Sequence, residues 1–101
     1  MIFIYVVCST GQEAKKIGMT CVKKRLAACA NYFPIESIYW WRKKLVLDKE
    51  YALILKTRKE NFSKIKSLVK KLHSYQVPCF CSWRADQVEK NYLGWLKENS
   101  K

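Results

Sequence analysis

Few side chains in this sequence could do chemistry. The chain has one histidine, His73, and five cysteines, none of them in a CxxC pair. A single imidazole excludes schemes that need two, and there is no GxSxG elbow, no HExxH helix and no closely paired carboxylates. Three glycines in 101 residues leave no loop able to cradle a phosphate. The inventory argues against an enzyme and against an organic cofactor. What remains is a set of soft ligands: Cys29, His73, Cys79 and Cys81. Thiolate and imidazole together favour copper as Cu(I), or Zn(II), over hard cations. The plainer alternative is that Cys8, Cys21, Cys29 and Cys81 are buried fillers and that His73 sits at a helix C-terminus, where the helix dipole favours it.

The elements that position these residues follow from hydrophobic periodicity. Met1 to Cys8 is a continuous apolar run of strand length. Thr10 and Glu13 then stand at capping-box spacing, and Ala14, Ile17, Cys21, Val22 and Leu26 form a helical stripe, so the first helix is predicted from about Gly11 to Ala27. Gly18 inside it costs up to about 1 kcal/mol relative to alanine, so either close packing needs the missing side chain or the cost is simply tolerated. A second strand begins near Ala28 and Cys29 and bends at Pro34, a residue expected at a bulge or on an unpaired edge. Thr57 with Glu60 opens a second helix with Phe62, Ile65, Leu68, Val69 and Leu72 inward, ending at His73. Val77 to Trp83 reads as a fourth strand with Cys79, Cys81 and Trp83 on one side. Asp86 and Glu89 cap a third helix carrying Val88, Tyr92, Trp95 and Leu96. The order βαββαβ plus a terminal helix predicts an α+β, ferredoxin-like sandwich in one domain spanning residues 1–101.

Between the helices lies the stretch the rest depends on, Ile35 to Thr57, which reads as one long β-hairpin turning near Arg42, Lys43 and Lys44. Both faces of both arms carry apolar residues, so both need cover. An arm of roughly ten residues spans more than 30 Å, whereas a domain of this size has a radius of gyration near 13 Å. The hairpin should overhang its own domain, and its exposed tryptophans predict an obligate oligomer. Tyr39, Trp40, Trp41 and Tyr51 are the residues expected at that interface.

The net charge of +12 admits a nucleic-acid or anionic partner. Most lysines, however, fall on the outward stripes of the helices, and the basic-glycine-aromatic signature of RNA-recognition sandwiches is missing. The solvated-surface reading is preferred. No apolar run approaches ~20 residues, and the start MIFIYVVC has no basic leader, so the expectation is a cytoplasmic chain with no membrane association.

The blocks Arg25-Leu26-Ala27-Ala28-Cys29-Ala30-Asn31, Tyr39-Trp40-Trp41, Leu55-Lys56-Thr57, His73-Ser74-Tyr75-Gln76-Val77-Pro78 and Tyr92-Leu93-Gly94-Trp95-Leu96 together resemble the CutA divalent-cation-tolerance proteins from near Met1 to Leu96. The resemblance implies a ferredoxin-like subunit in a homotrimer built through the long second and third strands. It also implies a role in tolerance of copper or another divalent metal ion, with Cys29 and His73 as metal-ligand candidates, to which the thiol of Cys79 is added by residue type. An architectural likeness to trimeric PII signalling proteins adds a small-metabolite module as an alternative. The sequence departs from the family pattern at Gln76 and Cys79, where carboxylates are usual, which shifts preference toward Cu(I). Lys43 replaces the usual glycine of the hairpin tip, at roughly 1 to 2 kcal/mol if the backbone there is left-handed.

Overall fold

The computed structural model describes all 101 residues. Its elements are β1 (Ile2–Cys8), α1 (Gly11–Lys23), β2 (Cys29–Trp41), β3 (Lys44–Thr57), a 3-10 turn (Lys59–Asn61), α2 (Phe62–Leu72), β4 (Phe80–Arg84) and α3 (Lys90–Asn99). The four strands form one antiparallel sheet in the order β2-β3-β1-β4. That is the predicted ferredoxin-like sandwich. Alternation along β1 sends Ile2, Ile4, Val6 and Cys8 to one face, where they meet Leu53 and Leu55 of β3, Ala14, Ile17 and Cys21 of α1, and Ile65 and Val69 of α2. The opposite face carries Phe3, Tyr5 and Val7, with Trp83 of β4 stacked on Phe3 at 5.3 Å between ring centroids. No helix is long and apolar enough to cross a membrane.

The hairpin is as long as the sequence predicts. β3 pairs with β2 from Lys44 against Trp41 to Lys56 against Cys29, but with β1 only from Tyr51 to Thr57. Residues 44–50 therefore have no third strand, and at about 3.3 Å per residue they project roughly 23 Å. The subunit measures 45 × 26 × 21 Å as a result. At the tip, Arg42 (φ 48°) and Lys43 (φ 65°) both adopt left-handed backbone, the pattern of a type I′ turn that asparagine and glycine usually supply. The Arg42 guanidinium lies over the Trp41 ring at 5.6 Å. Pro34 lies on β2, an outer strand of the sheet, where one backbone edge is unpaired.

Helix ends differ from the sequence-based expectation in instructive ways. α1 stops at Lys23 rather than Ala27 because Arg25 turns left-handed (φ 60°). Leu26 N–H then donates to Cys21 O at 2.9 Å and Arg25 N–H to Val22 O at 3.0 Å, a Schellman closure without its glycine. Leu26 and Ala27 still bury, so in sequence they continue the helical stripe although the helix has ended. Thr57 and Glu60 form no capping box. Thr57 remains in β3 and its hydroxyl donates to Leu26 O at 2.6 Å, beside Asn61 Nδ2, which donates to the same carbonyl at 3.0 Å. The third helix is capped by Glu89 alone, whose carboxylate accepts from the Asn91 and Tyr92 amides, while Asp86 lies outside it. β4 begins at Phe80, later than Val77, because Pro78 offers no N–H to the ladder.

Gly18 earns its place by contact. A Cβ there would lie 3.0 Å from the Ala30 Cβ and 3.4 Å from Leu53 Cδ1, whereas one at Gly94 would meet nothing within 4 Å. The two glycines should respond to alanine with opposite signs. Gly94→Ala should raise stability by about 0.5 to 1 kcal/mol through helix propensity. Gly18→Ala should lower it by about 1 kcal/mol, since overpacking of about 1 to 3 kcal/mol outweighs the same gain. Denaturant unfolding of the two variants compares them directly, and equal shifts would contradict the packing argument.

Candidate functional site

The end of β1, the first turn of α1 and the exit of α2 converge on one spot. β1 delivers Cys8 to the core face, and the tight turn through Ser9 and Thr10 starts α1 so that Glu13 faces back toward the strand end. Thr10 Oγ1 accepts from the Glu13 amide at 3.0 Å, which is one half of the expected capping box. The other half is replaced. The Glu13 carboxylate accepts from the Ser9 amide at 2.9 Å and, with its second oxygen, from the Ser74 amide at 2.9 Å, joining the helix start to a segment 61 residues away. His73 enters from that segment with its side chain fully buried. Its Nδ1 accepts from the Tyr75 amide at 3.0 Å, so the proton sits on Nε2, which donates to Val7 O at 2.7 Å. Sγ of Cys8, a Glu13 oxygen and a ring nitrogen of His73 all lie within 4.8 Å of one another.

Environment sets the protonation of this cluster. Burial pushes the Cys8 thiol up to about 12, with the charges of Glu13 and Glu50 adding to the effect. Burial also pushes Glu13 upward, but hydrogen bonds from Ser74 and Ser9 and the nearby His73 outweigh it, and its net shift is downward. At neutral pH the site holds a neutral thiol beside a carboxylate. Thiol and imidazole are close, as in a cysteine nucleophile pair, yet this thiol is sealed from solvent and the imidazole is committed to two backbone groups. Neither is poised for attack. As metal donors, a thiol, a carboxylate and an imidazole suit a borderline cation such as Zn(II) or Cu(II). Binding through Nε2 would require Cys8 to lose its proton and His73 to carry its own on Nδ1 instead, releasing both Val7 O and the Tyr75 amide.

The sequence-derived ligands are distributed differently. Cys29 opens β2 opposite Lys56, which itself pairs with Phe3, so it lies at the end of the sheet where β1 begins. His73 is bonded to Val7, roughly 13 Å further along that strand. One subunit does not bring these two together. The Cys29 thiol donates to Asn31 Oδ1 at 3.8 Å. Cys79 extends the β4 ladder, its carbonyl accepting from the Val7 amide at 3.4 Å, and its thiol lines a cleft of about 580 Å³ at the base of the overhanging arm. Within this cleft Tyr75 Oη donates to the buried Glu50 carboxylate at 2.5 Å, and Tyr39 donates to Asp48 at 3.3 Å. Of the interface candidates, Trp40 and Trp41 are exposed, Tyr39 is half-buried in the cleft, and Tyr51 packs over Gly11 of its own subunit.

Sequence reasoning assigned Glu13 to a cap and Cys8 to the core. A strand-ending cysteine followed five residues later by a helix-opening glutamate is a signal for proximity, because a short βα turn must bring them together. The contribution of His73 to the same spot is a tertiary fact that no spacing carries.

Comparison with known proteins follows the whole chain. The family model described as CutA1 divalent ion tolerance protein matches residues 2–99. The divalent-cation tolerance protein CutA of Archaeoglobus fulgidus is 41% identical over 96 residues, covering 95% of this chain and 94% of that protein. Its counterpart in Pyrococcus horikoshii is 40% identical over 101 residues, covering 100% and 99%. Among solved structures, the periplasmic divalent cation tolerance protein CutA from Archaeoglobus fulgidus superposes with a TM-score of 0.96 at 39% identity, and the Cut A1 protein from Thermus thermophilus with 0.94 at 36%, each over 100% of both chains.

The Glu13 bonds predict a pH dependence. A carboxylate whose folded pKa lies below its unfolded value stabilises the fold above the unfolded pKa, and that stability disappears as pH falls through the folded one. Stability should therefore be flat near neutrality and fall below about pH 4.5. Glu13→Gln should lower the thermal midpoint at pH 7 and flatten the acid limb. A variant with an unaltered acid limb would remove Glu13 from the account.

Proposed function

The chain belongs to the CutA1 divalent ion tolerance family, and from that premise we propose that it is a non-catalytic, metal-binding tolerance protein that works as a homotrimer. The observation that supports assembly is the overhanging arm. On its helix-side face Ile38, Trp40, Leu45 and Leu47 are 72%, 71%, 63% and 70% exposed, paired across the hairpin as Ile38 with Leu47 and Trp40 with Leu45. Each such side chain contributes about 1.5 to 3 kcal/mol when fully buried. Association costs about 4 to 15 kcal/mol, so the arm alone roughly breaks even. The open sheet face with Phe3, Tyr5 and Trp83 supplies the remainder. Arm and receiving surface are different surfaces, so the contact is heterologous and closes as a ring. Three copies is the number the family resemblance implies.

For the metal, Cys8, Glu13 and His73 are the set that meets within one subunit, whereas Cys29 and Cys79 could contribute only across a subunit boundary. Copper is the preferred ion, given the thiols. The five free cysteines, two of them exposed, fit a reducing compartment, and we place the protein in the cytoplasm. A small-metabolite module is the second reading, favoured by the aromatic-walled cleft at Glu50 and Tyr75.

Native mass spectrometry of the reduced protein is expected to give three chains, and Trp40→Ala combined with Leu47→Ala should weaken the assembly at least tenfold. A monomer at micromolar concentration would end the trimer reading. Offered Cu(II) and Zn(II) in turn, the protein should bind an ion with an affinity that rises with pH, because ligand thiols must deprotonate. Loss of binding in Cys8→Ala would support the set within one subunit, loss in Cys29→Ser the set across subunits. A protein that retains no divalent ion at any pH would overturn the metal half.

A further inference from the structure

α1 and α2 cover the core face of the sheet, so their outer sides belong neither to the open sheet face nor to the overhanging arm. Every lysine on the two helices is exposed. Lys16 and Lys23 stand seven residues apart on α1, and Lys64 and Lys71 likewise on α2, so each pair shares one side of its helix at a spacing of about 10 Å. Lys66 and Lys70 are four residues apart and are neighbours on successive turns. None of these ammonium groups is in an ion pair, the salt bridges of the chain being Arg58 with Glu60 and His73 with Glu13.

The sequence alone favours a solvated surface for these lysines, but the placement of the acids does not. Of the eight acidic residues, six lie elsewhere: Glu36, Asp48 and Glu50 on the hairpin, and Asp86, Glu89 and Glu98 before or within α3. Glu13 is engaged by the Ser9 and Ser74 amides, which leaves Glu60, 3.9 Å from Arg58. A surface kept for solubility intersperses both signs. Here like charges four residues apart repel, and the first turn of α2 carries Lys64 and no acid, against the helix dipole. An anionic partner would turn these repulsions into attraction.

We propose that the outer side of α1 and α2 is a docking surface for the phosphate backbone of duplex DNA, bound without reading its sequence. A lysine ammonium is a point charge on a flexible stem, suited to phosphate oxygens rather than to base edges. Met19 is the only large apolar residue exposed on either helix. The surface therefore has no aromatic platform for the bases of a single strand, and no Trp, Phe or Leu to enter a bilayer surface. Duplex RNA is recognised through its 2′-hydroxyls as well as its phosphates, whereas cations dominate here. Duplex DNA presents a negative charge about every 1.7 Å of its axis, closer than the lysines are spaced, so all of them find phosphates in any register. No metal enters this interaction, and it stands apart from the tolerance reading above.

The test is fluorescence anisotropy of a labelled mixed-sequence DNA duplex of about 20 base pairs, titrated with the reduced full chain at about 50 and 200 mM salt. Binding in the micromolar range is expected at the lower salt and at least 100-fold weaker binding at the higher, because six lysine contacts to phosphate give a slope of log affinity on log salt of about −5. A duplex of unrelated sequence should bind within about threefold of the first. Lys66→Gln with Lys70→Gln should weaken binding about tenfold or more and flatten the slope by about 2. Lys90→Gln with Lys97→Gln, which removes the same charge from α3, should stay within about threefold of the parent. Thermal unfolding and oligomer mass verify that each variant folds. Absence of binding at the lower salt, or equal weakening by the two double variants, would overturn the proposal. A tenfold preference for duplex RNA, or for vesicles containing phosphatidylserine, in competition with the DNA would overturn it too.

Discussion

β3 is twice the length of β1, with 14 residues against 7, and the rest of the molecule follows from that mismatch. Its second half, from Tyr51 onward, is held between β1 and β2 and supplies Leu53 and Leu55 to the core. Its first half has one partner strand and no helix, so Lys44, Leu45, Leu47 and Lys49 face solvent or another molecule, while Glu50 is buried against Tyr75. A two-stranded ribbon of this kind is marginal alone in water. Its type I′ tip makes matters worse, since Arg42 and Lys43 occupy left-handed backbone without being glycine or asparagine. Something packed on the arm would cover the exposed apolar pairs and offset the cost of the left-handed tip.

The βα turn that ends β1 is the second fixed point. Glu13 holds the Ser9 and Ser74 amides, His73 holds Val7 O and the Tyr75 amide, and the two side chains together fasten α2's exit to α1's entrance. Each hydrogen bond is worth about 1 kcal/mol net, more where one partner is charged. The same atoms are the candidate metal donors. Loading this cluster would therefore trade fastening for coordination, and an ion bound there would be linked to the position of residues 73 to 76 and to the cleft they border. A tolerance protein with a binding site coupled to loop position has the elements of a sensor rather than a passive store.

The sequence made the strand order, the hairpin and its overhang readable, because each rests on long apolar runs with clear periodicity. Pro34 at an unpaired edge was readable because proline cannot donate to a ladder, whereas Gly18 left close packing and a tolerated cost both open. Helix ends were less so. Leu26 and Ala27 bury after the Schellman closure, and their pattern cannot be told from one more helical turn. Thr57 and Glu60 have capping-box spacing, but Thr57 is claimed by Leu26 O, a contact 31 residues distant. The candidate site divides along the same line. His73 and Cys79 could be singled out by residue type, while the gathering of Cys8, Glu13 and His73 depended on how three elements end. The exposure that separates Cys79 and Cys81 from the buried thiols follows from β4 being an outer strand.

The charge balance bears on which metal chemistry this surface can support. With +12 per chain, long-range electrostatics repel a free divalent cation, although at physiological ionic strength the repulsion is screened beyond about 8 Å. Capture of a metal ion would then depend on short-range bonding, and hard cations held by carboxylates would lose most from that arrangement. Of the eight acidic residues, Glu13 and Glu50 already accept hydrogen bonds from the Ser9 and Ser74 amides and from Tyr75. Thiolate bonding would be less dependent on the surrounding field. A basic surface therefore disfavours electrostatic collection of ions such as Mg(II) or Ca(II).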